Sequence, residues 1–153
     1  MITVEFDETI VLKYLLLDYT GTLSENGKLI DGVRKRLNEL SKLLEIEVLT
    51  SDTFGSARSE LKGIDCTVNI IDGKAKEKKL KRLQDLGADN CVAIGNGHND
   101  MLMLKHARLS IAVINAEGCY AKLISQADIV ARSINDALDI LLDKRKIIAV
   151  LRH

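Results

Sequence analysis

The chain has 153 residues, a length that suits one domain built round a single sizeable core. Acidic and basic residues balance at 22 each, which leaves no basic footprint for nucleic acid, and the local basic run from Lys74 to Arg82 reads as the solvated face of a helix. With 46% apolar residues, five aromatic side chains in all and no Trp, the core falls to Ile, Leu, Val and Ala, aromatic platforms for single-stranded nucleic acid are not expected, and no stretch approaches the roughly 20 apolar residues of a membrane span.

In chain order, KYLLL at 13–17 is a short apolar run ending in a polar turn, as in a buried parallel strand. Val33, Leu37, Leu40 and Leu44 recur at helical spacing and predict a helix over about 32–44. IEVLT at 46–50 reads as strand, Phe54, Ala57 and Leu61 as a short helix, and TVNII at 67–71 as strand. Leu80, Leu83 and Leu86 predict a helix over about 74–86, closed by Gly87. The alternation continues with strand 91–95, helix 99–107, strand 110–114, helix 118–126, strand 128–131 and helix 134–142. KIIAVLR at 146–152 is expected as a final strand, and with segment 2–6 it could add edge strands, antiparallel ones among them. Short apolar strands alternating with amphipathic helices predict an α/β fold. Its Rossmann-like, mostly parallel sheet carries helices on both faces, within one domain spanning 1–153.

In such a sheet, ligands bind beyond the carboxyl ends of the strands. The polar clusters that follow strands are 18–22, 50–53 and 95–100, so all three should meet on one rim. Asp18 follows three leucines, and a carboxylate at the end of an apolar strand is costly unless its charge is compensated. It reads either as a turn residue held by nearby N–H groups or as a metal ligand and nucleophile. Thr20, Gly21 and Thr22 add hydroxyls and a permissive backbone that can present N–H groups to an anion. Thr50 and Ser51 can hydrogen-bond a phosphate oxygen, or serve as ordinary turn residues. In GNGHND at 95–100, Asn99 and Asp100 suit a helix N-cap, yet two oxygen-bearing side chains on a Gly-rich turn also suit Mg²⁺.

Together LLLDYTGTL (15–23), VLTSDT (48–53), a lysine in GKAKEKKLKRLQ (73–84) and AIGNGHND (93–100) resemble the haloacid dehalogenase superfamily of phosphohydrolases and phosphotransferases. The match is nearest to soluble members, without a cap domain, that resemble the phosphorylation domain of P-type ATPases. The resemblance implies that Asp18 attacks phosphorus and forms an aspartyl-phosphate. It further implies Mg²⁺ held by Asp18, the Thr20 carbonyl and Asn96, with Asp100 supporting the metal. Thr50 would hold a phosphoryl oxygen, with Gly21, Thr22, Ser51 and Asn99 as substrate-binding neighbours, and a lysine would offset charge. Lys79 fits that role, one helical turn before Leu83, although Lys76 bears the same relation to Leu80.

Two departures shape the expected activity. Many phosphatases of the superfamily carry an Asp two residues after the nucleophile, but Thr20 stands there and cannot act as a general base near neutral pH. Asn96 replaces an expected Asp and removes a negative charge from the metal cage. Hydrolysis should therefore be slow, or the aspartyl-phosphate long-lived. The alternative is a catalytically weak regulatory or binding module on the same fold.

The intervals between motifs leave no room for a lid. An open site implies a phosphoprotein substrate, an unselective phosphatase of small phosphorylated molecules, or a homo-oligomer whose neighbours cover it. Cys66, Cys91 and Cys119 are widely spaced and read as core residues of a reducing, cytoplasmic compartment. His98 reads as an exposed loop residue, and Asp52 as a turn cap near the rim.

Overall fold

The structure is a computed structural model, and it describes residues 1–51 and 55–153. The expectations for Asp52, Thr53 and Phe54 lie outside the described residues. The chain opens with strands β1 (Ile2–Glu5), β2 (Thr9–Leu12) and β3 (Tyr14–Asp18), followed by the short pair β4 (Ser24–Glu25) and β5 (Lys28–Leu29). Then come α1 (Val33–Leu40), β6 (Glu45–Thr50), α2 (Ser56–Glu60), β7 (Thr67–Ile70), α3 (Ala75–Leu86) and β8 (Cys91–Gly95). The remainder is α4 (Met101–His106), β9 (Leu109–Val113), α5 (Ala121–Ile124), β10 (Ile129–Ala131), α6 (Ile134–Leu142) and α7 (Lys144–Leu151).

The main sheet has six strands in the order β10-β9-β8-β3-β6-β7, every neighbouring pair parallel. β3 and β8 lie at its centre because they are apolar on both faces. Successive residues alternate between two cores: Leu15 and Leu17 face one side, Leu16 the other. The first core packs α1, α6, α7 and the β1–β2 hairpin against the sheet, through Val33, Leu37, Leu138 and Ile147 among others. The second packs α3 and α4 through Leu83, Met103 and Leu104. The sheet and its two helical layers are those expected from the sequence.

Two expectations are corrected. Residues 146–152 are not a strand: α7 is a helix. An apolar run cannot by itself distinguish strand from helix, and two features decide here. Asp143 accepts a hydrogen bond from Arg145 N–H at the helix start, and Ile147, Ile148 and Leu151 recur at helical spacing toward the core. Segment 2–6 is strand, but it pairs antiparallel with β2 in a separate hairpin rather than extending the sheet. Several helices are also shorter than their periodicity suggested. The 99–107 segment divides into a 3₁₀ turn (His98–Asp100) and α4, and α5 covers only Ala121–Ile124 of the predicted 118–126.

Candidate active site

The carboxyl ends of β3, β6 and β8 open on one cleft of about 1320 Å³. Asp18, Thr20, Gly21, Thr50, Ser51, Asn96 and Asn99 all line it. The three polar clusters therefore meet on one rim, as the strand order requires. Thr22, Lys79 and Asp100 lie beneath the cleft surface, each at most 1% exposed.

The first turn is wound on one carbonyl. The N–H groups of Thr22, Leu23 and Ser24 all donate to the Tyr19 carbonyl, at 2.9–3.1 Å. The Tyr19 ring is buried, and its hydroxyl donates to Gly27 O at 2.9 Å, which ties the β4–β5 hairpin to the turn. Asp18 is thereby fixed at the sheet end, 6% exposed, with its carboxylate directed at the residues of two other elements.

Lys79 and Leu83 share the buried face of α3, four residues apart. Lys79 Nζ donates to Asp18 Oδ1 at 2.9 Å, to Asp100 Oδ1 at 2.8 Å and to Asn99 Oδ1 at 3.3 Å. Lys76 instead lines the cleft mouth, so of the two candidate lysines it is Lys79 that contacts Asp18. Asp100 uses its other oxygen to accept from the N–H groups of Asn96 and Gly97, at 3.2 and 3.1 Å. A side chain at Gly95 is incompatible with this arrangement, because a Cβ there would lie 2.4 Å from Asp100 Cγ. The GNGHND turn is thus shaped to press Asp100 against its own backbone.

Two carboxylates and one ammonium leave the buried cluster with excess negative charge. Burial, followed by repulsion from Asp100, pushes Asp18 up to about 6, against the opposing pull of Lys79. Burial alone would depress Lys79, but Asp18 and Asp100 hold its ammonium above the ordinary lysine range. Lys79 therefore stays charged, and Asp18 is the group whose ionisation is finely balanced.

Thr22 Oγ lies 3.0 Å from Asp18 Oδ2 and 3.1 Å from Asn96 Oδ1. Asn96 Nδ2 donates to Gly118 O at 3.1 Å, which turns the amide oxygen toward Asp18. A hydroxyl has one proton to give, so two acceptor oxygens converge where only one donor serves them. Surplus oxygens beside excess negative charge fit a hard divalent cation. Among the described residues no three His, Cys, Asp or Glu side chains form a metal-binding group. The oxygens that converge here are a carboxylate and an amide, unlike the nitrogen and sulfur sets of zinc centres.

The rim rule also holds for β9, whose following residues the motifs did not include. Asn115 Nδ2 donates to the carbonyls of both Gly21 and Thr22 at 2.8 Å, and Glu117 lines the cleft. Lys28 and Glu60 line it from outside the motifs as well. Polar residues directly after strand 110–114 were the available signal for Asn115 and Glu117. His98 is exposed on the rim, as expected, but stacks on Tyr120 with ring centroids 4.5 Å apart. Cys91 is buried in the core, while Cys66 and Cys119 are half-buried and all three are free.

A parallel sheet with an acidic, lysine-bridged site at the ends of its central strands defines a class of phosphoryl-transfer hydrolases. The family model for haloacid dehalogenase-like hydrolases matches residues 24–138, and the protein belongs to this family. An uncharacterised protein of Methanocaldococcus jannaschii is 48% identical over 84 residues, which cover 52% of this chain and 90% of that one. Among solved structures, the cobalt-bound deoxy-D-mannose-octulosonate 8-phosphate phosphatase of Haemophilus influenzae superimposes with a TM-score of 0.71. Identity is 15%, with 93% of this chain and 94% of that one covered. The 3-deoxy-D-manno-octulosonate 8-phosphate phosphatase of Moraxella catarrhalis, in complex with magnesium, phosphate and KDO, gives 0.71 at 14% identity, covering 91% of each chain. At these identities the two structures establish a shared fold. No helix among the described residues is long and apolar enough to cross a membrane.

Proposed function

We propose that the protein is a Mg²⁺-dependent phosphatase or phosphotransferase that carries the phosphoryl group on Asp18. The observation that carries this reading is the buried Asp18–Lys79–Asp100 cluster, opening at the sheet end on a cleft lined by Thr50, Ser51 and Asn96. On this assignment Asp18 Oδ2, the Thr20 carbonyl and Asn96 Oδ1 hold the ion. Asp100, whose oxygens already serve Lys79 and two backbone N–H groups, supports the metal turn from behind. When bound, Mg²⁺ offsets the negative charge of the phosphoryl oxygens.

Asp18 Oδ1, on the side of Lys79, attacks phosphorus as the ester P–O bond breaks, and the departing oxygen takes a proton from water. Water then attacks the acyl-phosphate phosphorus, which releases phosphate and regenerates the Asp18 carboxylate. Lys79 keeps a fixed positive charge beside the attacking oxygen throughout. The Thr50 hydroxyl, Ser51 and the backbone at Gly21 receive phosphoryl oxygens, and Asn99 orients Lys79 while facing the cleft. Thr22 is fully buried on Asp18 and Asn96, so here it positions the nucleophile rather than touching substrate. Thr20 offers no carboxylate for the proton transfers, which makes both steps slow for poor leaving groups.

The open cleft suits a phosphorylated small molecule or a phosphoprotein. The sugar-acid phosphates named for the two similar structures support the phosphate-monoester class and nothing finer. The test is hydrolysis of p-nitrophenyl phosphate with Mg²⁺, with chelator and with Asp18→Asn. Activity requiring both Mg²⁺ and Asp18 is expected. Inactivity across a panel of phosphate esters, with Mg²⁺ binding intact, would favour the regulatory alternative that Thr20 suggests.

A further inference from the structure

The loop after β9 is fastened to the site at two places. Asn115 Nδ2 donates to the carbonyls of Gly21 and Thr22. On its far side, Asn96 Nδ2 donates to Gly118 O at 3.1 Å and Tyr120 N–H to Asn96 O at 2.8 Å. The loop therefore joins the Asp18 turn to the Asn96 turn, and Glu117 stands between the fastening points.

Glu117 reaches back over Gly21. Its Oε2 lies 2.9 Å from where a Cβ on Gly21 would be, and Asn96 Nδ2 lies 2.7 Å from the same point. Gly21 has a φ of +78°, a conformation glycine adopts without strain, and its missing side chain leaves room for the carboxylate. Glu117 is exposed on the cleft, and among the described residues its carboxylate has neither an ion-pair partner nor a hydrogen-bond donor. A carboxylate is thus left without a counter-charge beside Asn96, the position where the family resemblance places an acid and this chain has a neutral amide.

We infer that Glu117 restores, from a different loop, the negative charge that Asn96 withholds from the cation site. Glu117 lines the same cleft as Asp18 and Asn96, so its charge would act on a bound cation through space, from outside the ligand set. A hard cation of this kind retains several waters, and partners of those waters contribute strongly to affinity. The inference rests on the Mg²⁺ reading above and deepens it. It also explains how the chain could keep its metal without the usual acid.

The experiment is calorimetric titration of the metal-free protein with Mg²⁺. Glu117→Gln should weaken binding about tenfold, the size expected for a charge held just outside the ligand set. The loss should shrink at high salt, leave the metal-free Tm unchanged, and be reversed by adding Asn96→Asp. Glu39→Gln, an exposed position on α1, controls for net charge and should bind as wild type. If Asp18→Asn loses binding while Glu117→Gln stays within about twofold of wild type, the inference fails and the Mg²⁺ reading stands. If Asp18→Asn binds as well as wild type, the Mg²⁺ reading itself fails. A weakened Glu117→Gln that Asn96→Asp does not restore would assign Glu117 a purely structural role and overturn the inference.

Discussion

Two carboxylate–cation groupings in this molecule make opposite use of the same chemistry. Arg36 on α1 meets Asp139 on α6 through two hydrogen bonds, at 2.7 and 3.1 Å, with both side chains partly in water. That pair joins two helices on the core side, and the Arg36 hydrogen bonds hold the Asp139 carboxyl below its usual range. In the cluster under the cleft, Lys79 serves two carboxylates at nearly full burial, and Asp18 moves the other way, up to about 6. The helix pair is satisfied and stabilising. The buried cluster is left short of positive charge, a deficit that a cation or a phosphoryl group's partners can fill.

The largest expected effect breaks the buried cluster. Lys79→Ala leaves two carboxylates facing each other and should cost about 3–5 kcal/mol, read by denaturant unfolding. A loss under about 1 kcal/mol would show that Lys79 is not the cluster's only effective counter-charge. Thr20→Asp restores a carboxylate at the position suited to proton transfer and should raise phosphate-ester hydrolysis about 10²-fold. An unchanged or lower rate in the folded variant would remove the proposed reason for slow turnover. Gly95→Ala drives a methyl into Asp100 and should cost about 1–3 kcal/mol together with most of the activity. Wild-type stability in that variant would mean that the Asn96 turn can shift without loss.

The pH dependence separates the two groupings by sign. Asp18 has a folded pKa near 6, above its ordinary 3.8, so its contribution to stability is present below 3.8 and lost as pH rises through about 6. The metal-free Asp18→Asn variant should therefore gain Tm over wild type above pH 6, and the gain should shrink on acidification. Asp139 contributes in the reverse direction: its stabilisation is present above the ordinary carboxylate pKa and lost as pH falls through its depressed value. Arg36→Ala makes the smallest difference, about 0.5–1 kcal/mol with no change in hydrolysis, as befits a partly exposed pair.

The sheet was legible because each central strand is a dense apolar run ending at a polar turn, as in LLLD and VAIGN. The site was legible for the same reason: parallel strands deliver their terminal residues to one rim. Helical spacing alone left Lys79 and Lys76 equivalent, one before Leu83 and the other before Leu80, and only the folded chain shows Lys79 between two carboxylates. Residues 146–152 look like a strand in sequence because β-branched Ile and Val carry strand propensity, which packing and the Asp143 cap override. The strand at 2–6 was expected but its partner β2 was not, because a four-residue strand just before a longer one leaves no separate periodic signal. Glu117 escaped because it lies in no motif, and its nearness to Asn96 depends on side-chain bonds from Asn115 that sequence spacing does not encode.

The central claim is that the phosphoryl group rests on Asp18. It is tested most directly by incubating the protein with Mg²⁺ and acetyl phosphate, quenching in acid, and mapping the product by mass spectrometry. The account predicts one hydroxylamine-sensitive phosphoryl adduct on Asp18 that accumulates in wild type, decays faster in Thr20→Asp, and is absent from Asp18→Asn. Phosphate release that continues in Asp18→Asn, or an adduct mapped to another residue, would contradict it.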